Sequence, residues 1–390
     1  MSDSFALSAP WIFDGELWVR DAVLLVRDGL VEGVLERYQM PYATEITESG
    51  AAMLAPGFVD LQVNGGGGVM LNDRPDVDSI QTICRAHSQF GTTALLATLI
   101  TDTPAVTAAA IEAGAKAADQ RVPGFLGLHL EGPHLSKGRK GAHDPQLIRP
   151  MGEADQAALI AARKRMPVLL TTVAPESVSP QAIAALAGAG IIVSLGHTDA
   201  GHGVAVSHVE AGASVVTHLF NAMSQMTGRQ PGLVGAALDL PGLSAGLIAD
   251  GIHVDATNIA IAVRAKRGPG RIFLVTDAMA TIGTGMTSFQ LNGRTINREN
   301  GRLTLEDGTL AGADLDMISA VRFMHKTIGL ELSEALRMAS LYPAEAVGQG
   351  KRMGRLAPGM AANIVALSND LDVRGVWIDG RRVFVGAEPL

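Results

Sequence analysis

Short apolar runs recur along the middle of the chain, at about residues 58–63, 92–99, 125–130, 168–173, 191–196, 214–218, 245–249 and 271–276. Each has the length of a strand, and several are followed by alanine-rich stretches with helical spacing. Eight strands alternating with helices predict an α/β fold, a (β/α)8 TIM-like barrel whose catalytic groups stand at the C-terminal ends of the strands. Outside this region the pattern changes. Before residue 52, Trp11-Ile12-Phe13 and Ala22-Val23-Leu24-Leu25-Val26 read as strands, with Asp28-Gly29 as turn chemistry. After 355, Ala362-Asn363-Ile364-Val365-Ala366-Leu367 and the hairpin-like stretch from Val376 to Phe384 read the same way. The expected division is therefore 1–52 and 356–390 for the two parts of a small β-sandwich, and 53–355 for the barrel.

Composition adds exclusions. A length of 390 residues suits a barrel plus a smaller module. A net charge of -8 argues against nonspecific nucleic-acid binding, which needs clustered Lys and Arg. Cys84 is the only cysteine, so no intrachain disulfide is possible, and its helical Ala/His/Ile setting predicts a buried, inert thiol. The N-terminus lacks a basic segment followed by an apolar core, and the most apolar long stretch, 233–249, is broken by Asp239 and Pro241. No secretory signal or membrane span is expected, which makes the cytoplasm the expected location.

Candidate chemistry sits where the apolar runs end. Glu131 follows the third, His197 the fifth, His218 the sixth and Asp277 the eighth, so all four are expected on one rim. Taken singly, such residues are more often helix caps or packed polar groups; together at four strand ends they point to a site. Carboxylate oxygen and imidazole nitrogen are donors that zinc-like ions accept with one position left open for water. Glu131, His197 and His218 are thus candidate ligands of one divalent metal ion, and Asp277 is the candidate acid–base group. A helix-borne His-Glu-x-x-His pair is absent. Gln62 and Asn64 end the first run two residues apart, hence on one face, and could aim at the site as hydrogen-bonding groups. Neither amide is a strong metal ligand, so a second ion site is expected to be weak or empty. His129 shares the face of Glu131, either as a partner of the ligands or as a buried histidine satisfied by its neighbours.

Other features carry less. Gly65-Gly66-Gly67-Gly68 lacks the following Lys-Ser/Thr of a nucleotide-binding loop and reads as a rim turn. The basic, glycine-rich segment from Ser136 to His143 reads as a lid. His87, His134, His202, His208 and His325 have no constellation to join.

Several segments, in order, resemble the N-acetylglucosamine-6-phosphate deacetylases of the amidohydrolase superfamily. They are Pro56-Gly57-Phe58-Val59-Asp60-Leu61-Gln62-Val63-Asn64-Gly65, His129-Leu130-Glu131-Gly132-Pro133, Gly196-His197-Thr198, Thr217-His218-Leu219-Phe220-Asn221-Ala222-Met223 and Ala249-Asp250-Gly251-Ile252-His253. The resemblance implies metal-dependent removal of acetate from N-acetylglucosamine 6-phosphate, with one ion per subunit, zinc first and iron, cobalt or manganese as alternatives. It also implies substrate contacts at His143, Asn221, Ala222, His253 and the Leu310-Ala311-Gly312-Ala313 turn, with His143 polarising the acetyl carbonyl. Arg229 is implied to reach the phosphate of the neighbouring subunit in a homodimer; the alternative by residue type is a solvated loop charge. Many amidohydrolases carry His-x-His where this chain has Gln62-Val63-Asn64. A related amidohydrolase acting on N-acetylgalactosamine 6-phosphate, a cyclic amide or an N-acyl amino acid would share the metal core. A sugar-phosphate-binding regulator without catalysis is the other alternative, and Asp277 speaks against it, because binding alone needs no proton shuttle.

Overall fold

The computed structural model describes residues 4–40 and 45–386. Each of the apolar runs forms a strand of one parallel sheet, laid down in chain order: β1 (Phe58–Val63), β2 (Thr92–Ile100), β3 (Phe125–Glu131), β4 (Val168–Val173), β5 (Ile192–Leu195), β6 (Val215–Val216), β7 (Ser244–Leu247) and β8 (Ile272–Leu274). Between and after them run α1 (Val77–Ser88), α2 (Pro104–Asp119), α3 (Glu153–Arg163), α4 (Pro180–Gly188), α5 (His202–Glu210), α6 (Gly232–Asp239), α7 (Ala256–Ala265) and α8 (Met317–Lys326). Local chemistry starts the helices: Asp76, Thr103, Ser179, Asp255 and Asp316 each cap a first turn with a side-chain oxygen, and Pro104 and Pro180 supply the φ a first turn needs. Cys84 is buried on α1, and burial pushes its thiol up to about 12, so it is inert at neutral pH.

Side-chain hydrogen bonds and a single parallel bridge, Val63 to Ala278, close the barrel between β8 and β1. The fully buried Asp60 accepts from Thr276 Oγ1 at 2.5 Å and from the Thr276 amide at 3.2 Å. Burial lifts its carboxyl to about 7, against the pull of those hydrogen bonds. The Asp277 amide donates to Gln62 O, and the Asn64 amide to Ala278 O. This seam sets Gln62 and Asn64 beside Asp277, which decides the site below.

The chain ends pair, as expected. Ser4–Phe13, Trp18–Arg27 and Leu30–Glu36 join Ile364–Leu367, Val373–Ile378 and Arg381–Val385 in one sheet. Met53–Pro56 lies between Ser4–Phe13 and Ile364–Leu367, so the sheet runs past residue 52 and the first barrel strand starts at Phe58. The sheet's two tightest hairpin turns are Asp-Gly pairs with positive φ, Asp28 (50°) with Gly29 (79°) and Asp379 (46°) with Gly380 (75°), the geometry that matches strand twist. Leu30 bridges Ala361, and the sheet curls over its own core of Leu7, Ile12, Leu24, Leu54, Ile364 and Trp377. Its other face, with Phe13, Ala55, Val365 and Val376, joins the barrel core.

The structure adds an antiparallel flap between β8 and α8, beyond the expected barrel and sandwich. Ser288–Leu291, Arg294–Glu299, Arg302–Thr304 and Leu310–Ala313 pair in sequence, so residues 310–313 form a strand rather than the expected turn. Its signals were Asn292-Gly293 and Asn300-Gly301, both with positive φ, between short alternating stretches. Gly65-Gly66 pairs with Val69-Met70, which makes the four glycines a rim hairpin. Among the described residues no helix is long and apolar enough to cross a membrane.

Candidate functional site

Glu131 is the last residue of β3, while His197, His218 and Asp277 stand two or three residues beyond β5, β6 and β8. At all three of the latter the backbone turns left-handed, with φ of 47°, 30° and 51°. Such a conformation is costly for residues with a Cβ and persists where surrounding structure enforces it, a mark of functional sites. Gly132 serves the same turn after β3: at φ +86°, a Cβ there would lie 2.2 Å from Thr101 Oγ1.

The turns bring three acceptor atoms to one point. Glu131 Oε1 is 3.1 Å from His218 Nε2 and 3.3 Å from His197 Nε2, and the two imidazole nitrogens are 3.1 Å apart. His197 Nδ1 donates to Arg139 O at 2.7 Å, so in the neutral ring the lone pair is on Nε2. His218 Nδ1 is buried without a partner. Lone pairs this close repel unless a proton or cation lies among them. Their spacing also suits edges of roughly 3.3 Å, those of a tetrahedron with metal bonds of about 2.0–2.1 Å. The donor set therefore fits a divalent ion. Burial acts to raise the Glu131 carboxyl, but hydrogen bonds and charge from His197 and His218 overcome it and hold the group well below the usual carboxylate range. Burial acts to lower His218, and Glu131 wins in raising it.

A second trio, Glu131, His143 and His197, also offers ligand atoms within 4.8 Å of one another. Hydrogen bonding argues against His143 as a ligand. Its Nδ1 accepts from the Thr101 amide at 3.3 Å, and burial followed by the charge of His197 pulls it down to about 3, so the ring is neutral with its proton on Nε2. That Nε2 faces Glu131 Oε2 at 3.8 Å. It presents a donor to the pocket and leaves Glu131, His197 and His218 as the coherent donor set.

Asp277 faces this set from the seam. Its Oδ1 accepts from Asn64 Nδ2 at 2.7 Å and from Gln62 Nε2 at 3.1 Å. Gln62 Nε2 also lies 3.2 and 3.3 Å from the two oxygens of Glu131, so one amide spans both carboxylates. Burial, then the charge of Glu131, pushes Asp277 up to about 6. His129 touches none of the ligands through a hydrogen bond; its Nε2 meets Thr172 Oγ1 at 2.7 Å and its Nδ1 meets Thr98 Oγ1 at 3.4 Å. It is a buried histidine satisfied by hydroxyls, and burial lowers it to about 4.

Over these groups opens a cavity of about 390 Å³, within the range of small-ligand pockets. Asn64, His143, Asn221, Ala222, His253 and Gly312 line it. His253 Nδ1 is 2.6 Å from Asp250 Oδ2, and its buried Nε2 has no partner. Ala311 does not line the cavity. Alternate residues of a strand face opposite sides, and its methyl packs into the flap core with Met70, Ile100 and Phe289. Arg229 lies outside the cavity wall too, exposed at a tight turn in which the Thr227 amide donates to Gln230 O. It makes no ion pair among the described residues. Arg139, Ile248, Met279 and Thr309 line the pocket without having been singled out; only Arg139, inside the expected lid, carried a usable signal. A larger cleft of about 730 Å³ lies at the opposite end of the barrel, against the two Asp-Gly hairpins. No histidine lines it, and volume alone does not make a reaction site.

Residues 53–383 match the amidohydrolase family. The chain is 44% identical over 331 residues to the N-acetylgalactosamine-6-phosphate deacetylase of Shewanella sp. (strain ANA-3), covering 85% of this chain and 83% of that protein. It superposes on the N-acetylglucosamine-6-phosphate deacetylase of Pasteurella multocida with a TM-score of 0.94 at 34% identity, covering 98% of this chain and all (100%) of that one. A mutant N-acetyl-D-glucosamine-6-phosphate deacetylase from Mycobacterium smegmatis, in complex with N-acetyl-D-glucosamine-6-phosphate, gives a TM-score of 0.90 at 31% identity, with 98% of this chain and 100% of that chain covered. The chain belongs to the amidohydrolase family, as a metal-dependent hydrolase of the branch that contains these deacetylases.

Proposed function

We propose that the protein hydrolyses the acetamide of N-acetylglucosamine 6-phosphate to glucosamine 6-phosphate and acetate. The observation that carries this reading is the convergence of Glu131, His197 and His218 on one point, opposite an Asp277 held by two amides. Glu131, His197 and His218 would hold one divalent ion, with zinc best suited to nitrogen and oxygen donors in this number and iron, cobalt or manganese as alternatives. When bound, such an ion supplies a Lewis acid and lowers the pKa of water.

The chain's own groups do the rest. Asp277, as carboxylate, accepts the proton of the attacking water; as acid, it returns that proton to the departing nitrogen, which leaves poorly as an anion. Gln62 and Asn64 keep one of its oxygens engaged and the other available. Their N–H groups point into the space between Asp277 and Glu131, which supports a weak or empty second ion site. His143 offers Nε2–H toward the acetyl oxygen. His253 Nε2 and the backbone at Asn221, Ala222 and Gly312 shape the sugar's seat. Arg229 reads the 6-phosphate from the neighbouring subunit of a homodimer. Its exposed position off the pocket of its own chain is compatible with this. A cytoplasmic location belongs to the same proposal.

The 44% identity to a galactosamine-type deacetylase favours a second reading, in which the 4-epimer is the better substrate. Acetate release from both N-acetylhexosamine 6-phosphates, with metal-loaded and metal-stripped protein, separates the two. Loaded protein that releases acetate from neither would overturn both.

A further inference from the structure

The lid grips a candidate metal ligand directly. Ser136 N donates to His197 O at 2.9 Å, and His197 Nδ1 donates to Arg139 O at 2.7 Å. The lid main chain therefore contacts both the backbone and the ring of His197. Gly141 lets it pass close: with φ +55°, a Cβ there would lie 3.3 Å from His197 Cε1.

A side-chain latch holds this arrangement. Arg139 Nε donates to Asp199 Oδ1 at 2.6 Å. Asp199 is itself fixed from the loop after β4, since Glu176 Oε1 accepts from the Asp199 amide at 2.7 Å and Glu176 Oε2 accepts from Thr198 Oγ1 at 2.5 Å. At its far end the lid is tied by Arg294 Nη2 to Ala142 O and by His143 Nδ1 to Thr101. The latch is weak in kind, because the Arg139 and Asp199 side chains are 37% and 51% exposed and water competes for them. Its geometric consequence is larger than its strength. A carbonyl that accepts from Nδ1–H fixes the ring orientation and leaves Nε2 as the basic nitrogen, the arrangement that metal-binding histidines use.

We propose that Arg139 is a positioning residue: its carbonyl, held by the Arg139–Asp199 latch, fixes the ligand form of His197, so that closing the lid and loading the ion are one coupled event. This rests on the reading of His197 as a ligand. Coupling is reciprocal, so the ion favours the closed lid as much as the closed lid favours the ion.

The lid carries its own reporter, because trypsin can cut after Lys137, Arg139 and Lys140. The test compares full-length zinc-loaded and chelator-stripped protein by timed trypsin digestion with mass assignment of the cuts. Stripping should accelerate cleavage at those bonds by about tenfold, the lower end of what such outer contacts contribute to metal affinity, with bonds elsewhere unchanged. Asp199→Ala should leave the lid readily cut even when loaded, and in chelator competition should hold zinc about two- to fivefold more weakly. Arg139→Lys in the native chain, which keeps a cation opposite Asp199, should retain most of the protection and of the zinc affinity.

Equal lid cleavage with and without bound zinc would overturn the coupling. So would acceleration spread over the whole chain, or an Asp199→Ala protein with a loosened lid and native zinc affinity. His197→Ala that keeps its zinc would instead overturn the ligand assignment, so the two failures are distinguishable.

Discussion

Two polar layers lie one above the other inside the barrel, and they obey different rules. In the lower layer, His129, Thr172, Thr217 and Ser194 form a chain of short contacts, 2.7 Å from His129 Nε2 to Thr172 Oγ1, 2.6 Å from Thr172 to Thr217 and 2.5 Å from Ser194 to Thr217. Each group satisfies the next, and His129 stays neutral because burial lowers it to about 4. In the upper layer, one to three residues further along the chain, Glu131, His197 and His218 turn toward one another, and Asp277 is lifted to about 6. Buried polarity is thus common to both. Of the two layers, only the one at the mouth crowds acceptors together on left-handed backbone, where a ligand must complete the structure.

Substitutions at the mouth should separate the comparison most sharply. Asp277→Asn keeps shape but cannot cycle a proton, so turnover should fall by roughly 10²–10⁴ while metal content per chain stays native. Glu131→Gln or His218→Ala should lose ion and activity together. Near-normal turnover of Asp277→Asn would remove it from the chemistry.

Next in size is Arg229→Ala, expected to weaken capture of the phosphorylated substrate by a factor on the order of 10² and to leave the unphosphorylated sugar almost untouched. Mixed with Asp277→Asn chains, it should regain activity in heterodimers if the arginine acts across subunits. Equal losses for both sugars would discard the phosphate role; demonstrated heterodimers without rescue would discard the cross-subunit part.

The lower layer should answer differently. Thr172→Val leaves hydroxyl and imidazole partners unpaired and should cost about 1–3 kcal/mol in denaturant unfolding, with zinc content unchanged. Loss of the ion in that variant would show that the layers are one functional unit.

A pH profile gives the finest cut. Burial raises Asp277, and its carboxylate form is the one that accepts the proton, so kcat/KM should fall about tenfold per unit as pH drops below that group's pKa. A bound cation attracts the carboxylate and moves the break below about 6. This limb should vanish in Asp277→Asn, and its persistence there would assign it to another group.

Much of this was legible in the chain. The barrel strands lie within apolar runs that register in the sequence even where the paired strand is short, and Asp28-Gly29 marks its turn through residue type alone. The flap escaped because Arg294–Glu299 is short, polar and half-exposed, so burial imposes little pattern on it. Ala311 and Gly312 could not be separated by similarity to other chains; strand alternation sends one into the flap core and the other to the pocket. Of the two roles open to His129, the contacts with Thr98 and Thr172 favour that of a satisfied buried histidine.

Residue pattern alone marked the barrel strands, the ends of them that carry carboxylate or imidazole, and the Asp-Gly turns, since these depend on neighbours a few residues away. How those groups act on one another depends on approaches between distant segments. Gln62 meets Glu131 across 69 residues and Asp277 across 215, and Arg139 O meets His197 across 58. The closed barrel and the folded lid set these approaches, and with them the protonation and ring orientation of each group. A hydrogen bond changes character within a fraction of an ångström, a precision that residue spacing along a chain does not encode.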